Sequence, residues 1–123
     1  MFDNMKMMAA LAGLMKNKDK LQAAGERVKS KAEALRITSD AGSGAARATV
    51  NGAMRVISVE LSPALVMGMA ADAKTHTLAA SLIAEAVNEA LRQAQARMKE
   101  AIDVEAKELG FENGLPGIPG LTQ

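Results

Sequence analysis

The chain has 123 residues, which is enough for one domain with a modest hydrophobic core. It contains no Cys, Tyr or Trp and only two Phe, so it has no disulfide, no thiol chemistry and no aromatic platform for stacking bases. The net charge is only +1, but residues 1–36 hold eight Lys or Arg against four Asp or Glu. The N-terminal third is therefore basic, and the lack of Cys suits a reducing cytoplasm.

The first predicted element is a long helix over residues 5–35. Its apolar residues recur at alternating spacings of four and three, which is typical of a helix with one buried seam. Lys18 and Gly25 interrupt this seam. A helical Gly costs about 1 kcal/mol relative to Ala, so Gly25 either weakens the helix or admits a close neighbour. The apolar run at residues 7–15 is too short to span a membrane, and we do not expect it to be a signal peptide.

Three β-strands are predicted next, at residues 35–39, 45–50 and 53–61. Small and polar residues at 40–44 predict the turn between the first two strands. Asn51-Gly52 predicts a two-residue type I′ turn between the second and third strands, because both residues tolerate the positive φ that this turn requires.

Ser62-Pro63 marks the end of the third strand and the start of a helix, with Ser62 as N-cap and Pro63 at the first helical position. We expect one helical turn to residue 66, a looser segment over 67–74, and a second long helix from residue 75 to a C-terminal Gly110. The apolar stripe predicted for this last helix is Leu78, Ile83, Val87, Leu91, Ala94, Met98, Ile102 and Leu109.

These elements predict one α+β domain over residues 1–110, with a three-stranded antiparallel sheet flanked by two long helices. Residues 111–123 are rich in Gly and Pro and are expected to form a flexible tail. A nine-residue strand spans about 30 Å, whereas a helix over residues 78–109 spans about 48 Å. Because the helices overhang the sheet, we expect a second copy to cover their apolar stripes in a homodimer.

Several short motifs occur in this order along the chain, each weak by itself: Leu14-Met15-Lys16, Leu35-x-Ile37-Thr38, Gly42-Ser43-Gly44, Thr49-Val50-Asn51-Gly52, Val59-Glu60-Leu61-x-Pro63 and Leu82-Ile83-x-x-Ala86-Val87-Asn88-Glu89-Ala90. With this order and spacing, the chain resembles the YbaB/EbfC family of bacterial nucleoid-associated proteins over residues 14–98. The resemblance implies an α-β-β-β-α protomer, a tweezer-like homodimer and binding of double-stranded DNA in the nucleoid without an enzymatic step. Gly25 departs from the family pattern, which keeps this helix continuous.

Lys and Arg residues are the candidate DNA contacts, because they displace counterions from phosphates with little regard to sequence. In the first helix they are Lys6, Lys16, Lys18, Lys20, Arg27, Lys29 and Lys31; in the last helix they are Arg92, Arg97 and Lys99. The second group ranks lower, since Glu85, Glu89 and Glu100 offer partners three or four residues away. An ordinary solvated helix face is the alternative interpretation of both groups.

The sequence gives little indication of catalysis. His76 is the only His and has no ligand cluster beside it, and no Ser lies next to a base. Gly42-Ser43-Gly44 lacks the following Gly-Lys of a phosphate loop. We expect no enzyme, cofactor, metal or small-molecule substrate, and no membrane partner. The rival function is a dimeric protein-interaction module that uses apolar Met and Leu helix faces. A membrane-surface role for residues 5–20 is a third and weaker alternative.

Overall fold

The computed structural model describes the backbone of residues 2–110 and the side chains of Met8 and of residues 17–110. Its elements are helix α1 (Phe2–Ala34), strands β1 (Ile37–Ala41), β2 (Ala46–Val50) and β3 (Val56–Leu61), and helices α2 (Pro63–Ala71) and α3 (Ala73–Glu108). The strands are antiparallel and lie in the order β1-β2-β3. The predicted α+β class and element order are confirmed, and the predicted tail at 111–123 lies outside the described residues.

The sheet has one apolar face and one polar face. On the apolar face, β1 and β2 pair Ile37 with Val50 and Ala41 with Ala46, and all four side chains are buried. On the polar face, the hydroxyl groups of Thr38 and Thr49 share a hydrogen bond of 2.9 Å. Helix α3 packs on β1 and β2, so these two strands and α3 form the core.

The buried face of α3 consists largely of alanine and overlaps the predicted stripe only in part, since Val87 and Leu91 pack at the edge of the core. Of that stripe only Ala94 and Met98 are buried, and Leu78 is 52% exposed. The helix residues that pack on the sheet are chiefly Ala86, Ala90 and Ala94, and Ala79 is buried as well. Small side chains let the helix lie close to β2, which presents two further alanines, and the larger apolar residues of α3 flank this contact.

The loop between β2 and β3 is wider than the predicted type I′ turn. Neither Asn51 nor Gly52 has a positive φ, and the left-handed residue is Met54 (φ 61°). The Asn51 side chain is buried, and its Oδ1 accepts hydrogen bonds from the backbone N–H groups of Ala53 (2.9 Å) and Arg55 (3.1 Å). An Asn that satisfies its own loop in this way favours a longer connection over a two-residue turn, so β3 begins at residue 56 rather than 53.

The same loop also holds the end of the first helix. The N–H of Gly52 donates to the carbonyl oxygen of Ala32 at 2.8 Å. A Cβ atom at position 52 would lie only 2.8 Å from the Ala32 Cα and 2.5 Å from the Met98 Sδ. Gly52 is therefore required for the close approach of the loop to α1 and α3, and positive φ is not the reason.

Helix caps explain the boundaries after the sheet. The Oγ of Ser62 accepts a hydrogen bond from the Leu65 N–H at 3.2 Å, and Pro63 is the first helical residue, as predicted. The segment predicted to be loose is helical to residue 71. Asp72 both ends α2 and caps α3, because its N–H donates to Gly68 and its carboxylate accepts from the Lys74 N–H. Gly110, with φ +94°, follows the C-terminal end of α3 as predicted.

Helices α1 and α3 run antiparallel and touch over only part of α1. Ala24 and Ala32 are buried and Val28 is half-buried, whereas Leu21 is 42% exposed. A Cβ atom at Gly25 would meet nothing within 4 Å. Gly25 therefore admits no close neighbour within the described part of the chain, and its consequence is a locally weaker helix.

Candidate nucleic-acid interface

The basic side chains of α1 lie on two flanks of the helix. Lys20, Arg27 and Lys31 are spaced seven and four residues apart, which at 100° per residue places them within about 40° of one another. Lys18 and Lys29 are eleven residues apart and lie within about 20° of each other on the opposite flank. The side of α1 that packs on α3 lies between these two flanks. Predicted contacts Lys6 and Lys16 lie outside the residues whose side chains are described.

The outward face of α1 is acidic. Asp19, Glu26 and Glu33 follow one another at intervals of seven residues on the side turned away from the buried seam, and all three are exposed. Positive charge is therefore not distributed evenly around the helix. Its cations form two rows beside the seam, and the row with Lys18 and Lys29 lies nearer to the carboxylates.

Four lysines of α1 are exposed, namely Lys18, Lys20, Lys29 and Lys31. Within the part of the chain whose side chains are described, none of them forms an ion pair. Since Arg27 lies opposite Glu105 and α3 ends at Glu108, Lys18 and Lys20 lie on the portion of α1 that extends past the end of α3. These ammonium groups are open to solvent and available to a phosphate.

Arg27 differs from these lysines because it already has a protein partner. Its Nε donates to both carboxylate oxygens of Glu105 at 3.1 Å, and its Nη2 donates to Oε2 at 2.8 Å. The Glu105 side chain is 7% exposed and that of Arg27 is 50% exposed. The hydrogen bonds from Arg27 hold the pKa of Glu105 below its ordinary value. This pair joins α1 to α3 and thereby positions the basic rows of α1.

The three predicted contacts of α3 do not share a face. Arg97 is exposed and borders a groove beside Lys31, so the structure brings these two cations together. Arg92 and Lys99 are rotated about 140° and 160° around the helix from Arg97. Arg92 is bidentate to Glu89, at 2.9 and 2.6 Å, as the i,i+3 spacing predicted. Its hydrogen bonds, together with one from the Gln93 side chain, lower the pKa of Glu89 to about 2.

Sequence reasoning did not anticipate Glu105 as the anchor of α1. The two partners are 78 residues apart, and their pairing depends on the path of the chain between them. The available signal was that Glu105 follows Met98 by seven residues and so lies in phase with the buried face of α3. The structural role of Arg36 was not anticipated either. Its Nη1 donates to the backbone carbonyls of Glu33 and Leu35 and so stabilises the end of α1.

The described residues also bear on two other kinds of site, a metal site and a membrane-spanning segment. No three His, Asp or Glu side chains among residues 17–110 lie close enough together to hold a metal ion, and His76 is exposed. None of the described helices combines the length and the apolar character that a membrane-spanning segment needs. The described surface is therefore distinguished mainly by its basic rows and its uncovered apolar residues.

The Arg27–Glu105 pair predicts a specific acid response. Because the folded-state pKa of Glu105 lies below its ordinary value of 4.5, the pair stabilises the fold above that pH and loses its contribution as pH falls through the folded-state pKa. We expect Glu105→Gln to be less stable than the wild type at pH 7, with the difference shrinking as pH falls below 4.5. Thermal unfolding at a series of pH values measures this, and a difference that stays constant would contradict it.

Arg27→Gln serves as the reciprocal variant for this measurement. It leaves the buried Glu105 carboxylate without its partner, so protonation of Glu105 relieves an unfavourable charge. Its melting temperature should therefore also approach that of the wild type at low pH, and the Arg27→Gln, Glu105→Gln double variant should be more stable at pH 7 than Arg27→Gln alone.

Two comparisons with known proteins bear on this surface. The profile of the YbaB/EbfC DNA-binding family matches residues 5–108. A relative from Alkaliphilus metalliredigens (strain QYMF), named "Nucleoid-associated protein", is 33% identical over 108 residues. That alignment covers 88% of this chain and 84% of the relative. The family match covers α1, the sheet and α3, including all the basic residues named above.

Proposed function

The chain belongs to the YbaB/EbfC DNA-binding family, and from this membership we propose that it binds double-stranded DNA and contributes to nucleoid organisation. The observation that carries the proposal is the set of four exposed lysines on α1, none of which forms an ion pair within the part of the chain whose side chains are described. The N-terminal part of α1 also extends past the end of α3. The family description denotes DNA binding and the relative's name denotes nucleoid association. Neither names an enzyme class.

The proposed contacts are to the phosphate backbone and carry little sequence preference. Ammonium groups act as point charges that release counterions, whereas sequence is read by donors and acceptors placed against base edges. The primary contacts are Lys18, Lys20, Lys29, Lys31 and Arg97, together with Lys6 and Lys16 from the sequence. Arg27, Arg92 and Lys99 rank second; Arg27 and Arg92 would have to share or leave a carboxylate to bind a phosphate.

A homodimer is the proposed DNA-binding unit. Helix α3 covers β1 and β2 but leaves the apolar side chains of β3 open, so that Val56, Ile57 and Val59 are 47%, 46% and 40% exposed. Val66 and Met67 on α2 are also exposed. A second copy is the simplest cover for such a surface, and it doubles the number of basic helices in one particle. Light scattering at micromolar concentration should give the mass of two chains, and a compact monomer would contradict the dimer.

An electrophoretic shift titration tests the proposal. Random and defined duplexes should bind with similar affinity, because phosphates are common to both. If six phosphates are neutralised, the logarithm of the binding constant should fall against the logarithm of salt concentration with a slope of about −5. A flat salt dependence, or no shift at low salt, would reject DNA binding and favour the protein-interaction module.

A further inference from the structure

One face of α1 carries two lysines, a glutamine and a glycine. Lys18, Gln22, Gly25 and Lys29 follow one another at spacings of four, three and four residues. At 100° per residue, these spacings place all four positions within about 60° of one another. All four residues are exposed, so this face is open to solvent over about 16 Å of helix at a rise of 1.5 Å per residue.

Gly25 makes a notch in this face. A Cβ atom at position 25 would meet nothing within 4 Å, so no other described part of the chain fills the space above the glycine. The residue lies inside α1 without a positive φ, so turn geometry does not require a glycine here. A glycine also lets a ligand come close to the helix backbone, and the open notch is the place where a ligand can do so.

The charges beside the notch favour an anionic ligand. Along the helix axis, Lys18 lies about 10 Å before Gly25 and Lys29 about 6 Å after it. Neither lysine forms an ion pair with another described side chain. The nearest carboxylates of the acidic row, Asp19 and Glu26, are rotated by about 120° and 100° around the helix from Gly25. The notch is therefore flanked by two ammonium groups, and the acidic row points in another direction.

We propose that one strand of a DNA duplex lies across α1 at Gly25, with phosphate groups of that strand bound by Lys18 and Lys29. This inference rests on the proposed function and specifies where the strand lies. Phosphates of one strand repeat about every 3.4 Å along the duplex, so several of them fit between the two lysines. A strand seated on the helix backbone lies closer to both ammonium groups, and their attraction rises as the separation falls. The Gln22 carboxamide offers a neutral N–H donor on the same face.

The contact at Gly25 is separate from the other basic flank of α1. Lys20 and Lys31 are rotated by about 140° and 120° around the helix from Gly25, so they bind other phosphates. A side chain introduced at position 25 therefore obstructs the strand between Lys18 and Lys29 without touching Lys20 or Lys31.

Filling the notch tests the inference. Gly25→Leu adds a bulky side chain that favours a helix more than glycine does, so thermal unfolding should show a variant no less stable than the wild type. Its affinity for a random duplex in shift titrations should fall about tenfold, the loss expected when one charge-assisted contact is broken. Gly25→Ala adds only a methyl group and should keep most of the wild-type affinity.

Ala23→Leu is the matched control for the bulky substitution. Ala23 is exposed in the same part of α1, but it is rotated by about 160° around the helix from Gly25. This control should bind the duplex as tightly as the wild type. Equal losses in Ala23→Leu and Gly25→Leu, or no loss in Gly25→Leu, would overturn the inference. A full tenfold loss already in Gly25→Ala would also overturn it, because that result would assign the role of Gly25 to helix flexibility.

A mutant cycle tests whether the notch acts through its two lysines. In a chain that already carries Lys18→Gln and Lys29→Gln, Gly25→Leu should cause little further loss of affinity, because the contact that it obstructs is already gone. Losses that simply add would reject the assignment. A wild-type chain that shifts no duplex at low salt would reject the proposed function together with this contact, whereas a wild type that binds no better than Gly25→Leu would reject the contact alone.

Discussion

Gly52→Ala should lower the free energy of unfolding by about 1–3 kcal/mol, the usual range for overpacking a filled site. The added Cβ would lie 2.8 Å from the Ala32 Cα, 3.1 Å from the Ala32 carbonyl oxygen and 2.5 Å from the Met98 Sδ. The Met98 side chain can change rotamer, but the α1 backbone at Ala32 cannot move without disturbing the packing of α1 on α3. Denaturant unfolding followed by circular dichroism measures the loss.

The cost of Gly52→Ala has a second component in hydrogen bonding. The loop approaches α1 closely enough for the Gly52 N–H to donate to the Ala32 carbonyl oxygen at 2.8 Å. A loop displaced by the new methyl group would lose this bond and leave the N–H of the buried Gly52 without its acceptor. We therefore expect the variant to loosen the attachment of α1 as well as lower overall stability.

Gly25→Ala is the matched control, since it makes the same chemical change in the middle of α1. A Cβ at Gly25 meets nothing within 4 Å, and the residue is exposed. Replacing a helical Gly by Ala should raise stability by about 1 kcal/mol. The two substitutions should thus have opposite signs, and a Gly52→Ala variant as stable as the wild type would show that the loop does not approach α1 as described.

Charge reversal on one flank of α1 should have the largest effect on DNA binding. Lys20→Glu combined with Lys31→Glu replaces two exposed cations on the same side of the helix with carboxylates. In a homodimer this removes four phosphate contacts. Each phosphate contact contributes about −0.9 to the salt slope, so the loss of four out of six contacts should change the slope from near −5 to about −2. Shift titrations of one random duplex at several salt concentrations measure both affinity and slope.

The matched control for this variant is Lys74→Glu combined with Arg55→Glu. It produces the same change in net charge at two exposed residues that are not proposed contacts, one in the first turn of α3 and one before β3. The control should keep most of the wild-type affinity and slope. Similar losses in both variants would show that net charge, rather than the α1 surface, governs binding.

Much of the fold follows from signals that act over a few residues. Ser62-Pro63 predicted the start of α2 because an N-cap hydroxyl and a proline at the first helical position act within one turn. Gly110 likewise predicted the end of α3, since the left-handed conformation there is local to the helix terminus. Apolar periodicity separated the two long helices from the strands for the same reason.

Three features were decided only by the tertiary structure. The Asn51-Gly52 pair is compatible with a two-residue turn, yet its loop widens because Asn51 satisfies the loop backbone and Gly52 meets α1. The face that α3 buries depends on how closely the helix approaches β2, which selected the alanine row over the larger apolar residues.

The third feature is the role of Arg27. The sequence by itself determined that α1 is basic and helical, since composition and periodicity are properties of a single segment. It did not determine that one of these cations binds Glu105, 78 residues away, while its lysine neighbours stay open. That assignment required the antiparallel packing of α1 on α3, because an ion pair between distant residues depends on the path that the intervening chain takes in space.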